Sequence, residues 1–251
     1  MIKIENVLIE GFEPAIRAMR NPMNSWEKSD SRMTFIDNNI FNGMEFTVGH
    51  NDLDLMQRLA KAGVEHATYR RMIVVWLDIT APLYWWKEMD RYTVGKTQIS
   101  CSTMHKIAAK EFELDDFSHE HLFGYSDVEE QYEDEYLPEV DIVKNEAGIY
   151  PFHLEDECMP AYGKDWLRET CKILNAARDR YLETKDKKYW WQMIQLLPSS
   201  YNQKRTIMLN YEVLAKIYRE RKDHKLDEWR SFCDWIKTLP YAKEVITLEN
   251  D

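Results

Sequence analysis

Two arginines have side chains suited to binding an anionic or carbonyl-bearing ligand. Arg91 follows a Trp-rich segment, and its guanidinium offers a rigid fork of donors to a carbonyl or phosphate oxygen. The alternative for Arg91 is an ordinary surface charge after a helix. Arg221 lies in the charged run 218–224, for which the default interpretation is a solvated helix face.

A second candidate is the run Ser100-Cys101-Ser102, beside a predicted turn. Its hydroxyl and thiol groups can donate hydrogen bonds to a phosphate group. Cys101 is also a candidate nucleophile, because a thiolate adds to electrophilic rings when neighbouring groups lower its pKa. The alternative for Cys101 is a buried, inert thiol.

Composition limits the class of protein. The 251 residues are 44% hydrophobic with nine Trp, enough for one large core. The four cysteines show no CxxC spacing, which favours reduced thiols in a cytosol over disulfides and implies no metal. The apolar run 72–77 is far below the roughly 20 residues of a membrane helix, and the N-terminus lacks a leader. We therefore expect a soluble cytoplasmic protein with no membrane partner.

Charge is unevenly distributed along the chain. Residues 111–157 hold 17 acidic residues and one basic residue, Lys144, a local charge of −16, whereas the rest of the chain has 27 acidic and 32 basic residues. The total of −11 argues against binding to long nucleic acid, where many phosphates must be neutralised. The mildly basic remainder can hold a small phosphorylated ligand. We interpret residues 111–163 as an acidic insertion, forming a solvated face or a lid.

Periodicity predicts a mixture of strands and helices. Asn51 is a predicted helix cap and Gly63 a left-handed helix stop. Tyr84, Trp85 and Trp86 either stack on a flat cofactor ring or, at helical spacing beside a strand, belong to a core or subunit interface. The predicted strands are 2–9, 71–80 and 204–210, and the main predicted helices are 51–62, 82–89, 165–182, 187–197, 211–221 and 226–239.

Three separated segments, in the same order, resemble the flavin-dependent thymidylate synthases, or thymidylate synthase complementing proteins. Residues 15–20 are similar to that family's Ala-x-Arg-x-x-Arg helix. Residues 59–105 contain Glu65-His66-x-Thr68, a strand, Ala81-Pro82 and an aromatic helix that leads to Arg91. The third segment has Leu197-Pro198 and then Tyr201, Asn210, Leu214, Arg221 and Asp223 at family-like intervals. Together the segments span about half of the chain.

The sequence also departs from the family. The signature is Arg-His-Arg followed by a serine within Ser-x-Arg, but this chain has Arg91-Tyr92-Thr93 and then Ser100-Cys101-Ser102. The arginine expected shortly before Leu197-Pro198 is missing as well. Any phosphate binding must therefore use other donors.

The resemblance implies a single α+β domain of residues 1–251 with a central, mostly antiparallel sheet flanked by helices. It implies FAD as cofactor, NADPH and methylenetetrahydrofolate as co-substrates, and transfer of a one-carbon unit to deoxyuridylate (dUMP). It also implies a homotetramer with the flavin between subunits, so that several copies contribute to each site. Because the cofactors perform the difficult steps, the protein's task is orientation and electrostatics.

The resemblance also assigns roles to residues. The family's matching positions make Arg91, Ser100, Cys101 and Ser102 candidates for catalysis. Candidates for binding the nucleotide are Gln98, Arg91 and Arg221. Candidates for binding the cofactor are His66, Thr68, Arg71, Lys204, Arg205 and Asn210. His66 has the alternative of a structural cap on a short helix.

Two alternatives remain open at this point. A catalytically altered or inactive relative would keep the fold as a flavin-binding or nucleotide-binding regulatory protein, as the lost signature residues suggest. The other alternative is a general α+β protein whose similarity to the family is accidental.

Overall fold

The computed structural model describes residues 2–36, 44–124 and 163–248. It forms two compact units, Met1–Cys101 with Asn202–Asp251, and Ser102–Tyr201. Most of the predicted acidic insertion, residues 125–162, lies outside the described residues. The single domain and the role of the insertion as a lid or solvated face therefore stay predictions.

The first unit contains a four-stranded antiparallel sheet in the order β1-β4-β6-β5. A separate antiparallel pair, β2 with β3, lies in the same unit. The predicted α+β class with an antiparallel sheet and helices is confirmed. The strands are β1 (Lys3–Glu10), β2 (Arg32–Phe35), β3 (Met44–Thr47), β4 (Val74–Pro82), β5 (Lys96–Ser100) and β6 (Asn202–Asn210).

The helices follow the predicted pattern closely. The helix predicted at 211–221 has those bounds, and the left-handed stop at Gly63 is confirmed by its φ of +116°. The helices are α1 (Phe12–Met19), α2 (His50–Lys61), α3 (Leu83–Met89), α4 (Thr103–Lys106), α5 (Gly163–Thr184), α6 (Lys187–Leu196), α7 (Tyr211–Arg221) and α8 (Asp227–Lys237).

One face of the sheet forms the core of the first unit. Alternate residues of β4 are buried because successive strand side chains point to opposite faces. Trp85 and Trp86 of α3 are fully buried, and the ring of Trp85 packs against those of Trp229 and Phe232. The core interpretation of Trp85 and Trp86 is therefore confirmed, and each contributes roughly 1.5–3 kcal/mol or more through burial.

The opposite face of the sheet carries a polar group around Asp78. Its carboxylate accepts hydrogen bonds from Thr206 (2.6 Å) and Asn6 (2.9 Å), and Lys204 is 3.2 Å away. The hydrogen bonds from Thr206 and Asn6, together with Lys204, lower the pKa of Asp78 from 3.8 to about 2. The charged carboxylate is thus stabilised in the folded state.

Acid unfolding tests this group. Because the folded pKa is depressed, the contribution of Asp78 to stability is present above the unfolded pKa and disappears as the pH falls from about 4 to about 2. We expect Asp78→Asn to flatten the decline in stability over that window. Urea midpoints between pH 2 and 5 provide the measurement, and identical pH profiles for both proteins would contradict it.

The start of α2 is fixed by an acidic residue from elsewhere in the chain. The Asp30 carboxylate accepts hydrogen bonds from the backbone N–H of Asn51 (2.9 Å) and Asp52 (3.2 Å). The prediction that Asn51 caps the helix is therefore wrong, because Asn51 lies inside the helix and Gly49 occupies the cap position. A carboxylate at a helix N-terminus satisfies free N–H groups and complements the helix dipole.

The second unit has its own core. The long α5 packs against α6, and the two helices enclose a cluster with Phe112 and Phe117. Asn175 of α5 holds the extended segment beside it, because its amide exchanges hydrogen bonds with the backbone of Phe112 (2.8 and 2.9 Å). The buried cluster consists of Ile107, Phe112, Phe117, Leu167, Cys171, Leu174, Ala177 and Met193.

Among the described helices, none is long and apolar enough to cross a membrane.

Candidate functional site

Cationic side chains from β5, β6 and α7 lie close to the carboxylates of residues 88–92, a segment that we call the α3 exit turn. This segment holds the end of α3 and contains Arg91, one of the predicted site residues. Its carboxylates, Glu88 and Asp90, lie at the negative end of the helix dipole, where anions are unfavourable unless cations compensate them. Arg205 and Arg221 supply that compensation.

Asp90 is the centre of one cluster. Its Oδ1 accepts hydrogen bonds from Gln98 Nε2 (2.6 Å) and Arg205 Nη1 (2.8 Å), and Lys96 Nζ lies 3.7 Å from the same oxygen. We call Asp90, Lys96, Gln98, Gln203 and Arg205 the Asp90 cluster. Its members come from the α3 exit turn, β5 and β6, and all lie in the first unit.

Strand register explains why the cluster forms. Gln98 is opposite Ile207, and Ser100 is opposite Arg205 in the antiparallel pair of β5 and β6. Directly opposed residues share a face of a sheet, and residues two apart along a strand do so as well. Lys96, Gln98 and Arg205 therefore point to the same face as the end of α3.

Lys96 is the buried cation of the cluster. Its side chain is 4% exposed, and its ammonium donates to the carbonyl of Met89 (2.9 Å) and to Gln98 Oε1 (3.0 Å). Burial lowers the pKa of Lys96, an effect that the nearby Asp90 carboxylate opposes. Both ends of the Gln98 side-chain amide therefore have partners: Nε2 donates to Asp90, and Oε1 accepts from Lys96.

Arg205 is held in place from several sides. Its guanidinium lies 4.3 Å from the centre of the Trp86 ring, and its Nε donates to Gln203 Oε1 (2.9 Å). In the described part of the chain Nη2 has no hydrogen-bond partner, so part of the fork stays available. A fixed guanidinium loses little entropy when it binds an oxygen ligand.

The Asp90 cluster can recognise an oxyanion or a carbonyl. Two hydrogen-bond donors, Gln98 and Arg205, converge on one carboxylate oxygen with the ammonium of Lys96 nearby, and an oxygen of a phosphate or of a pyrimidine would suit the same groups. The two cations exceed the single carboxylate by one positive charge. Asp90 is 44% exposed, so it can move aside for a ligand without breaking the core.

Arg221 lies in a second cluster on the same exit turn. It forms an ion pair with Glu88 (2.7 Å), donates to the hydroxyl of Tyr92 (3.0 Å), and lies 4.9 Å from the centre of the Trp229 ring. Its side chain is only 13% exposed. The default interpretation of Arg221 as part of a solvated face is therefore wrong, because these three contacts hold it against the core.

Three predicted cofactor residues lie together near the start of β4. His66 lies in the turn after α2, and Thr68 and Arg71 lie in the 3-10 helix Thr68–Met72. All three are exposed, and within the described ranges their side chains have no hydrogen-bond or ion-pair partner. A hydroxyl, an imidazole and a guanidinium in one short segment are donors that suit a diphosphate.

The remaining predicted cofactor residues have structural partners. Asn210 caps α7, because its Oδ1 accepts from the backbone N–H of Val213 (3.0 Å). Lys204 lies on the opposite face of β6 from Arg205 and pairs with Asp78 and Glu5. Lys204 is thus not part of the Asp90 cluster.

The run Ser100-Cys101-Ser102 is divided between the units along the chain, because the first unit includes Cys101 and the second begins at Ser102. Ser100 ends β5, opposite Arg205, and Cys101 is exposed, so the expectation of a buried thiol is wrong. Ser102 caps α4 by accepting from the backbone N–H of His105 (3.0 Å). Arg91 is exposed, and no partner for its side chain occurs in the described part of the molecule.

Sequence reasoning missed Asp90, Lys96, Gln203 and Glu88. Alternation along β5 could have placed Lys96 on the same face as Gln98. No local signal connects Asp90 with Arg205, which lies 115 residues away. No group of three or more His, Cys, Asp or Glu side chains suited to a metal ion occurs among the described residues.

Comparisons with known proteins agree with this fold. No family model and no curated protein matches the sequence. Two crystal structures of flavin-dependent thymidylate synthase X from Helicobacter pylori with FAD and dUMP are similar, with TM-scores of 0.60 and 0.58, both at 17% identity. They cover 98% and 97% of this chain and 98% of theirs.

A third similar structure is a UMP/dUMP methylase from Streptomyces cacaoi bound with 5-Br dUMP. Its TM-score is 0.54 at 13% identity, covering 99% of this chain and 95% of the other. The α+β architecture of this chain is therefore the fold of the flavin-dependent thymidylate synthases.

Proposed function

We propose that the chain is a flavin-dependent enzyme that transfers a one-carbon unit from methylenetetrahydrofolate to dUMP, with FAD and NADPH. The observation that carries the proposal is the fold likeness over 98% of the chain to proteins solved with FAD and dUMP. The convergence of Lys96, Gln98 and Arg205 on one oxygen position supports it from this chain's own residues.

The Asp90 cluster would bind the nucleotide. Arg205 would give its fork to a phosphate or uracil oxygen, and Lys96 would add a buried positive charge close by. Gln98 would exchange its bond to Asp90 for one to the ligand. This assignment supplies the donors that the diverged signature no longer provides.

The exposed segment with His66, Thr68 and Arg71 would hold the cofactor. Its unpartnered imidazole, hydroxyl and guanidinium fit the diphosphate of FAD as a set of donors. FAD held by these residues would supply the hydride-transfer and one-carbon chemistry of the reaction. The chain's own residues bind and orient the reactants beside it.

We propose in addition that the enzyme works as a homotetramer. Asn210 of β6 lies opposite Val74, where β4 begins after the segment that carries His66, Thr68 and Arg71. Arg205 of the Asp90 cluster lies five residues from Asn210 along β6, a distance of about 17 Å in an extended strand. A second copy of the chain would complete the site if its cofactor segment lies beside the Asp90 cluster of the first copy. Analytical ultracentrifugation tests this, and a monomer at the concentration used for activity would contradict it.

Product formation tests the reaction. The protein with FAD, NADPH, methylenetetrahydrofolate and dUMP is expected to produce thymidylate that is detectable by chromatography, and to do so only when all four are present. Absence of thymidylate together with intact binding of flavin and dUMP would reject methylation and favour the alternative below.

The alternative is a relative that binds flavin or a pyrimidine nucleotide without this catalysis. One observation favours it: Glu88 and Asp90 occupy both Arg221 and Arg205 with ion pairs inside the chain. Under this alternative, dUMP would bind saturably, and no ligand-dependent oxidation of NADPH would follow.

Substitution of Arg91 and of Arg221 gives a further check. Arg91→Ala is expected to weaken dUMP affinity by about 1 kcal/mol, or about fivefold, with unchanged stability because the side chain has no partner among the residues that the structure describes. Arg221→Ala is expected to weaken it by at least as much and also to lower stability. Calorimetric titration with dUMP is the measurement, with exposed Arg58→Ala as control, and unchanged affinity in both variants would remove both arginines from the site.

A further inference from the structure

The first unit contains a second candidate binding site, separate from the residues discussed above. It is a cavity of about 190 Å³ between the end of α2, helix α7 and the π-helical segment Lys243–Thr247. Aliphatic side chains form part of its wall, including Val64 and Ile246. It shares no lining residue with the Asp90 cluster. Its lining residue Arg70 comes from the 3-10 helix Thr68–Met72, but Arg70 is buried, whereas His66, Thr68 and Arg71 are exposed.

Arg70 is the buried charge of this cavity. Only 5% of the residue is exposed, and its Nε and Nη2 have no hydrogen-bond partner in residues 2–36, 44–124 and 163–248. Its nearest carboxylate is that of Glu212, which lies 3.7 Å from Nη1, beyond hydrogen-bond distance. Burial raises the pKa of the neighbouring Tyr69 to about 12, so that phenol carries no charge for Arg70 at neutral pH.

Such an arrangement costs stability unless a ligand completes it. Buried polar groups in folded proteins are almost always hydrogen-bonded, and an unsatisfied donor on a charged group is more costly than one on a neutral group. A guanidinium has five donors in a planar fork that matches the oxygens of a phosphate or carboxylate. The free donors of Arg70 therefore point to an anionic ligand.

Two more cations line the same cavity. Arg219 lies in the last turn of α7 and Lys222 is its C-cap, three residues further on, a spacing that places both on one side of the helix. Both are exposed, and neither has an ion pair with any described residue. None of the described residues that line the cavity is acidic.

We propose that this cavity binds a phosphate-type oxyanion, either inorganic phosphate or a phosphate monoester group. Arg70 supplies the buried fork, and Arg219 and Lys222 supply the exposed positive charge. The volume is below the roughly 300–1,000 Å³ of pockets that hold a whole drug-sized ligand. It therefore fits a small anion or one phosphate group.

Calorimetric titration of the full chain with inorganic phosphate tests the proposal. Wild type is expected to show saturable binding, and Arg219→Gln and Arg70→Met are each expected to weaken it about tenfold, as loss of a charge-assisted hydrogen bond does. The control Arg58→Gln removes an exposed arginine that pairs with Asp54 on α2, and it is expected to bind like wild type.

Further arms separate this site from the nucleotide site and identify the form of the anion. Arg205→Met is expected to keep the phosphate affinity of the cavity. Methyl phosphate binding as tightly as inorganic phosphate would assign the site to a monoester group, and weaker binding would assign it to the free ion. If Arg70→Met does not fold, Arg219→Gln and Lys222→Gln carry the test, because both side chains are exposed.

Two results would overturn the proposal. One is the absence of saturable binding of either phosphate compound to wild type. The other is an unchanged dissociation constant in Arg219→Gln, Lys222→Gln and Arg70→Met, since phosphate would then bind elsewhere. Either result leaves the proposed reaction at the Asp90 cluster unaffected.

Discussion

Replacing Asp52 by alanine is expected to lower the free energy of unfolding by about 3–5 kcal/mol. Asp52 is fully buried in α2, and its Oδ1 accepts from Arg20 Nε at 2.6 Å. Its Oδ2 accepts from the hydroxyls of Ser29 (2.7 Å) and Ser31 (2.6 Å). Removing the carboxylate leaves a buried guanidinium and several donors without an acceptor, which is the costly way to break a buried pair.

The protonation of Asp52 agrees with this role. Burial alone would raise its pKa, but hydrogen bonds from Ser31, Ser29 and Arg20 outweigh burial and lower the pKa. The anion is therefore the form that the folded state stabilises, at pH values above the unfolded pKa.

Urea unfolding measures the loss. The matched control is Asp54→Ala, two residues along the same helix, where the carboxylate is 52% exposed and pairs with Arg58. That change is expected to cost less than about 1 kcal/mol. Equal destabilisation by the two substitutions would show that the network around Asp52 does not hold the loop 20–31 to α2.

Replacing Arg205 by methionine is expected to weaken dUMP binding by about 2 kcal/mol, or about thirtyfold. Arg205 is the member of the Asp90 cluster that is fixed on three sides, by Trp86, Gln203 and Asp90, and it keeps a donor free. Methionine retains a long side chain over Trp86 but removes the fork. Because Asp90 is partly exposed, stability is expected to change by less than about 1 kcal/mol.

Two further variants test whether the planar fork of Arg205 is responsible for the effect. Arg205→Lys keeps the charge and loses the planar fork, so it is expected to recover only part of the affinity. Arg58→Met, which changes an exposed arginine of α2, is expected to bind dUMP like wild type. Wild-type affinity in Arg205→Met, measured by equilibrium titration, would remove the Asp90 cluster from the nucleotide site.

Elements whose pattern is local could be predicted from the sequence. Helix α7 has the predicted bounds because Asn210 provides an N-cap and apolar residues recur at helical spacing. The strand predicted at 71–80 begins three residues later, at Val74, because the segment Thr68–Met72 forms a 3-10 helix first. The three family-like segments predicted the fold class, because segments that occur in the same order along two chains can form the same elements in the same arrangement.

Contacts between distant segments could not be predicted. Asp30 caps α2 from another segment, and nothing in the sequence near Asn51 indicates it. Arg221 looks like a surface residue in its charged run, yet Glu88 and Tyr92 hold it against the core from more than 100 residues away. The Asp90 cluster could not be predicted for the same reason, because its members become neighbours only when β5 pairs with β6.

The diverged signature has a physical counterpart in the structure. Where the family has Arg-His-Arg, this chain keeps Arg91 and adds carboxylates at Glu88 and Asp90 that gather cations from other elements. In the proposed site Lys96 and Arg205 take over the anion-binding role of the missing signature residues. The proposed replacement would let the chain bind a nucleotide without the full motif.

A spectroscopic titration of the FAD-loaded protein with dUMP tests the central proposal most directly, because it requires flavin and nucleotide to bind in one site. We expect a yellow protein with a saturable change of the flavin absorbance when dUMP is added, and no change when deoxyuridine, which lacks the phosphate, is added at the same concentration. A protein that binds no flavin, or a flavin spectrum that dUMP leaves unchanged at every concentration, would contradict it.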